Sequence, residues 1–274
     1  MLLTGEAGYS EAMIDTHCHL TFPALNDQVD EIRKANHAAG VRGMITIATT
    51  SSGCAENLAI ARAYEDVWCS AGVHPLYADH EIDWELVHEA GKDPRCVAWG
   101  ELGLDNFHKT PPIELQMTVL EQQLAHLEAW SREGLDKPVV IHCRDAFEDL
   151  IPILEESTLP NERFVFHCFT GGPPQARSVL EFGAMLSFTG VVTYRNASEV
   201  AEAAALVPED RIMVETDAPY LSPEPLRGKH PNVPPNVVHT ARFIAELRKA
   251  DFGTFESILD ANAERFFGIR LPEA

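Results

Sequence analysis

Positive charge is scarce in this chain. Its 274 residues carry 42 Asp plus Glu against 21 Lys plus Arg, a formal net charge of -21. That imbalance excludes the usual basic surface for nucleic acid, because the overall field repels polyanions at long range. Any contact with a polyanion must rest on local cations. Long hydrophobic runs are missing too: none approaches the roughly 20 residues of a membrane span. The first stretch, MLLTGEAGYSEA, has Glu6 where a secretory leader needs apolar residues, and it lacks a basic start. Residues 1–12 therefore read as a loose N-terminal extension, with Met13 an alternative start, and residues 13–270 as one folded unit. The six cysteines include no C-x-x-C pair, which fits reduced, buried thiols and a cytoplasmic protein. No Pro/Gly/Ser-rich linker or low-complexity segment divides the chain.

What is present is a regular alternation. Short apolar, β-branched runs occur at MIDTHC (13–18), GMITIAT (43–49), VWCSAGV (67–73) and CVAWGEL (96–102). Four more follow at PVVIHC (138–143), RFVFHC (163–168), AMLSFTG (184–190) and RIMVETD (211–217). Their spacing of roughly 25–40 residues is that of a βα unit. Between them lie amphipathic segments. VDEIRKANHAAG keeps a helical period through Val29 and Ile32 before the stop at Gly40. The longest, 113–134, aligns Leu115, Val119, Leu120, Leu124, Leu127 and Trp130 in one stripe. Near-continuous apolar strands alternating with helices predict a parallel sheet. Eight units, in a chain slightly above the typical 250 residues or so, predict an α/β fold of the (β/α)8 TIM-barrel type as a single domain. An open doubly wound sheet is the alternative, disfavoured because no G-x-G-x-x-G follows the first strand.

The unusual polar residues fall at the ends of these runs. His17 and His19 close the first, Glu101 the fourth, His142 the fifth, His167 the sixth and Asp217 the eighth. In a barrel, the C-terminal ends of the strands form the mouth where active sites are built. A single strand histidine is ordinarily a hydrogen-bonded core residue. Four imidazoles and two carboxylates at one mouth would instead be costly to desolvate without a cation. Mixed nitrogen and oxygen donors suit zinc, manganese, iron or cobalt. Six ligands exceed what one catalytic ion takes from protein, so the expectation is two divalent ions about 3.5–4 Å apart, sharing a carboxylate.

With these motifs in order, the sequence resembles the TatD family of metal-dependent hydrolases within the amidohydrolase superfamily. The resemblance runs from about Met13 to Phe267 and rests on DTHCHL, GVHP, GELGLD, VIHCRDA, FHCFTG, ETDAPYL, LRGK and NAERFF. It implies a TIM barrel, a one- or two-metal centre using magnesium or manganese, and nuclease activity of the 3′-end exonuclease type on DNA. It also implies that His17, His19 and Asp217 hold one ion, His142 and His167 the other, and that Glu101 bridges them. Many superfamily members bridge with a carboxylated lysine on a strand. Here Lys137 precedes its strand, which leaves Glu101 as the bridging residue. The chain departs from the family after GELGLD, where it reads NFHKTPP instead of an aromatic pair, and after LRGK, where it reads HPNVPP.

Water held by divalent ions ionises near neutral pH, and Asp217 and Glu101 are the expected catalytic carboxylates, Asp217 orienting that water and accepting its proton. His74, Arg144, Arg227 and Lys229 are candidates for substrate phosphate. Their ordinary readings are a turn histidine before Pro75, a partner for Asp145, and a solvated basic loop. Asp15 shares strand phase with His17 and His19, either supporting the ligands or serving as a buried hydrogen-bonding group. Asp105 reads as a turn or cap residue. Cys18, Cys143 and Cys168 adjoin the ligand histidines, and strand alternation turns them to the helix side. No G-x-S-x-G is present. The expected substrate is therefore a DNA end or short single strand, with no membrane and no obligate protein partner. The competing expectation is an ester or amide hydrolase, such as an aminoacyl-tRNA deacylase or a lactonase. A non-catalytic scaffold with a relict metal site is a third, disfavoured by the complete six-residue set.

Overall fold

Eight short strands pair in sequence order, all parallel, in a computed structural model that describes residues 13–272. The expected extension at residues 1–12 lies outside the described residues. The strands are β1 (Met13–Cys18), β2 (Val41–Thr46), β3 (Val67–Ala71), β4 (Cys96–Asp105), β5 (Val139–Arg144), β6 (Phe164–Phe166), β7 (Met185–Phe188) and β8 (Ile212–Val214). Between β8 and β1 the ring is joined by an isolated bridge, Cys18 to Ala218. There the Asp217 amide donates to the His17 carbonyl (2.9 Å) and the His19 amide to the Ala218 carbonyl (2.7 Å). The result is a nearly closed (β/α)8 barrel, as the eight runs predict.

The helices are α1 (Val29–Ala39), α2 (Ser51–Ala63), α3 (Trp84–Gly91), α4 (Ile113–Arg132), α5 (Phe147–Glu155), α6 (Pro173–Phe182), α7 (Ser198–Leu206), α8 (Val237–Arg248) and α9 (Phe252–Phe267). Their ends follow local chemistry. Asp83 accepts amide hydrogens at the start of α3, and Gly40, at φ 82°, takes the left-handed turn that ends α1. The stripe on α4 is buried from Val119 to Trp130, against the outer face of β4. The barrel interior is a separate apolar cluster in which Ile14, Ile45, Val97, Val140, Val165, Met185 and Met213 meet Ala263 and Phe267 of α9. One interior is thus plugged by aliphatic side chains and backed by a helix, which leaves the opposite end of the strands for polar work.

Three strands differ from expectation where they carry site residues, β6 among them, which ends at Phe166 and leaves His167 and Cys168 beyond it. β4 continues to Asp105, so Glu101 sits inside the strand rather than at its end. The β4–β5 register shifts between Trp99 and Leu102, around Glu101. β8 stops at Val214, so Asp217 lies in the segment beyond it. Gly103 is needed where β4 meets β5: at φ 148°, a Cβ there would fall 1.9 Å from the His142 carbonyl oxygen.

Candidate metal centre

All six expected ligands converge. The His17 Nε2 lies 3.3 Å from His19 Nε2 and 3.6 Å from Asp217 Oδ1, and His19 Nε2 is 3.3 Å from the same oxygen. Glu101 stands between two groups. Its Oε2 is 3.3 Å from His17 Nε2, while Oε1 is 2.8 Å from His142 Nδ1 and 2.6 Å from His167 Nε2. The rings of His17 and His167 stack, 3.9 Å between centroids. His17, His19, Glu101 and His167 are buried.

The outer nitrogens decide what the inner ones can do. His19 Nδ1–H donates to the Ile47 carbonyl (3.2 Å), so Nε2 turns a lone pair inward. His167 Nδ1 faces Glu215 Oε1 (3.2 Å), and His142 Nε2 faces Asp105 Oδ2 (3.1 Å), with the same consequence. Lone pairs and carboxylate oxygens 2.6–3.6 Å apart, in a buried place, repel unless protons or a cation stand among them. This donor set fits a divalent metal. His74 differs. Its Nδ1 accepts the Leu76 amide (3.0 Å), so the neutral ring carries its hydrogen on Nε2, 3.3 Å from Glu101 Oε1. In that tautomer it aims a hydrogen-bond donor into the centre, where with Glu101 and His142 it also forms a group that could hold an ion.

Charge follows the geometry. Burial works against ionising Glu101, yet His167, His74 and His17 around it hold it well below the usual carboxylate range. Asp217 is likewise lowered against burial, mainly by His19 and His17. Burial also opposes charge on His19, His142 and His167. Asp217 beside the first, Asp105 and Glu101 beside the second, and Glu101 and Glu215 beside the third nevertheless raise all three. Burial lowers His74 to about 4, keeping its ring neutral. A divalent ion would compete with protons for the imidazole lone pairs that face these carboxylates.

Two supporting carboxylates were not assigned this role by the sequence. Asp105 does cap a turn, accepting the His108 amide (2.8 Å), but its other oxygen orients His142 and also accepts from His108 Nδ1 (2.9 Å). Glu215 accepts from the Cys168 amide (2.6 Å) and Ser187 Oγ (2.6 Å) while holding His167. Its sequence signal is the two-residue phase Met213, Glu215, Asp217 along the eighth run. Asp15 is the buried hydrogen-bonding group: it accepts from the Thr216 amide (2.8 Å) and hydroxyl (2.6 Å), tying β1 to the segment that carries Asp217. Cys18 and Cys143 are buried as expected. Cys168 corrects the alternation argument, because β6 ends at Phe166 and Cys168, at φ 44°, lines the cavity instead.

The cavity over this centre measures about 480 Å³ and is walled by His19, His74, Glu101, His142, His167 and Asp217, with Arg144, Phe107 and Tyr220 nearer solvent. Arg144 makes no ion pair with Asp145. Among the described residues its guanidinium has no carboxylate partner and lies over the Phe107 ring, 4.7 Å from the centroid. Arg227 and Lys229 are exposed in the loop after β8, outside the cavity wall, with Arg227 4.0 Å over the Tyr194 ring.

With that geometry in place, the family model described as "TatD related DNase" matches residues 14–268. The chain belongs to this family. It is 36% identical over 260 residues to the uncharacterized metal-dependent hydrolase YcfH of Escherichia coli K12, covering 94% of this chain and 96% of that protein. It is 34% identical over 267 residues to the 3′-5′ ssDNA/RNA exonuclease TatD of Erwinia tasmaniensis, covering 94% of this chain and all of that one. Among solved structures it is similar to YJJV, a TatD homologue from E. coli K12, with TM-score 0.88 and 29% identity over 96% of this chain and 100% of that one. The chain is thus a TatD-family metal-dependent hydrolase. Among the described residues no helix is long and apolar enough to cross a membrane.

Proposed function

We propose that this TatD-family chain is a cytoplasmic nuclease that trims short single-stranded DNA from its 3′ end, using two divalent ions, magnesium, manganese or zinc. The observation that carries the reading is Glu101, whose Oε2 faces His17 while its Oε1 faces His142 and His167. In this reading His17, His19 and Asp217 would hold one ion, His142 and His167 the other, and Glu101 would serve both. When bound, such ions supply Lewis acidity at a phosphoryl oxygen and lower the pKa of water. The likeness to a protein named as a ssDNA/RNA exonuclease supports a phosphodiester over a carbon ester.

The chain's own residues then divide the work. Asp217, ionised despite burial, is the carboxylate positioned to orient an attacking water and accept its proton. His74 Nε2–H donates towards a phosphoryl oxygen, a role its fixed tautomer allows at neutral pH. Arg144, unpaired at the cavity edge, neutralises phosphate in a molecule otherwise short of cations. Arg227 and Lys229 extend that contact outside the cavity. Asp105 and Glu215 hold the His142 and His167 rings so that their inner nitrogens stay deprotonated.

The test is incubation of manganese-loaded protein with end-labelled single- and double-stranded DNA beside a panel of carbon esters, amides and lactones, with a chelator control. Chelator-sensitive shortening of single strands from the 3′ end is expected. Turnover of esters alone would refute the nuclease reading and favour the carbonyl chemistry.

A further inference from the structure

Only four large hydrophobic side chains among the described residues are more than a third exposed, and two of them, Phe107 (55%) and Tyr220 (49%), line the cavity over the metal centre. Leaving aromatic area in water at one mouth is unfavourable unless a ligand covers it. The two rings approach the centre by different routes. Tyr220 packs edge-on against Phe22 (6.2 Å), which stacks on His19 (4.6 Å), so an aromatic strip runs outward from a ligand of the first group. Phe107 comes from the loop after β4, beside Asp105 and His108, and carries the Arg144 guanidinium over its face. Neither ring is used in the chemistry derived above.

Resting on the nuclease reading, we propose that Phe107 and Tyr220 are specificity-determining residues that stack two unpaired bases flanking the scissile phosphate. A flat aromatic face accepts any base, so such a site reads unstacked strand and not sequence. The guanidinium over Phe107 adds a cation beside the stacked base, within reach of the next phosphate. Bases inside a duplex are already stacked and cannot present their faces to these rings. The cavity of about 480 Å³ is also small for a duplex end. Selection for single strands is therefore built from two exposed side chains, in a molecule whose net charge of -21 cannot supply affinity through a broad basic surface.

The experiment is a coupling measurement. Wild type, Phe107→Ala and Tyr220→Ala are each given two manganese-supported substrates: a short single strand, and the same strand with abasic sites at its two 3′-terminal positions. Each alanine variant is expected to lose about tenfold in kcat/KM on the intact strand, the scale of one base–aromatic stack. On the abasic strand the same variants are expected to lose less than about twofold relative to wild type. Phe107→Tyr and Tyr220→Phe, which keep a flat ring, should restore cleavage of the intact strand. Equal losses on both strands, or no rescue by the aromatic variants, would overturn the stacking proposal while leaving the nuclease reading intact. Failure of wild type to cleave either strand, with esters still hydrolysed, would overturn both.

Discussion

At the scale of single residues, the centre depends on carboxylates that touch no reacting atom. Asp105 Oδ2 and Glu215 Oε1 hold the outer nitrogens of His142 and His167, and without them each ring could turn or take the other tautomer. Asp105→Asn is expected to weaken manganese binding by about 10- to 100-fold, with the fold retained, since losing such a partner typically costs that much. Manganese titration followed by circular dichroism checks it, and unchanged affinity would remove Asp105 from the account. The convergence of the six expected ligands was legible in the sequence, because each is an unusual polar residue following an apolar run. Their supports were less so. Asp105 reads locally as a turn cap, which it also is; its contact with His142 exists only once β4 and β5 are side by side. The unpaired state of Arg144 was equally hidden, since an adjacent Asp145 looks like a partner until the backbone directions are known.

At the scale of elements, strand ends set the geometry and two devices keep it. Gly103 lets β4 run against β5 beside His142, where a Cβ would meet carbonyl oxygen at 1.9 Å. Gly103→Ala should destabilise the fold by roughly 1–3 kcal/mol through forced backbone shifts and strain. It should also reduce metal content, because His142 moves with its carbonyl; thermal unfolding and metal analysis read the two effects separately. At the other end, α9 backs the barrel and buries Asp260. Desolvation, reinforced by Glu256, pushes that carboxyl up to about 8 from an ordinary 3.8. The folded state therefore keeps a proton that the unfolded chain releases, and stability falls as pH rises from about 4 to about 8. Asp260→Asn removes this dependence, so its stability relative to wild type should grow across that window and level off above it. Denaturant unfolding at several pH values tests this, and a constant difference would contradict it. Eight strands, their order and the length of α4 followed from periodicity. That Glu101 lies inside β4, and that Cys168 faces the cavity, did not, because strand alternation applies only within a strand whose ends composition does not mark.

At the scale of the whole molecule, the proposed nuclease reading sets a polyanionic substrate against a chain of net charge -21. Near the cavity the structure offers few cations: Arg144 stands at its edge, and Arg227 and Lys229 are exposed on a neighbouring loop. Binding of a short strand should therefore lack the steep salt weakening of basic nucleic-acid proteins, whose affinity for single strands falls with a slope of about -0.7 per neutralised phosphate. At fixed manganese concentration, the slope of log affinity against log salt is expected to stay above about -2. A steep negative slope would reveal a large basic contact that this surface does not offer. In the proposed reading, Glu101 joins the imidazoles on its two sides into one metal centre. The most direct measurement is the metal content per chain of wild type and Glu101→Ala, loaded with manganese and passed over a desalting column. About two ions per wild-type chain, falling together with strand cleavage in the variant, is the predicted result. Full occupancy in Glu101→Ala would contradict the account.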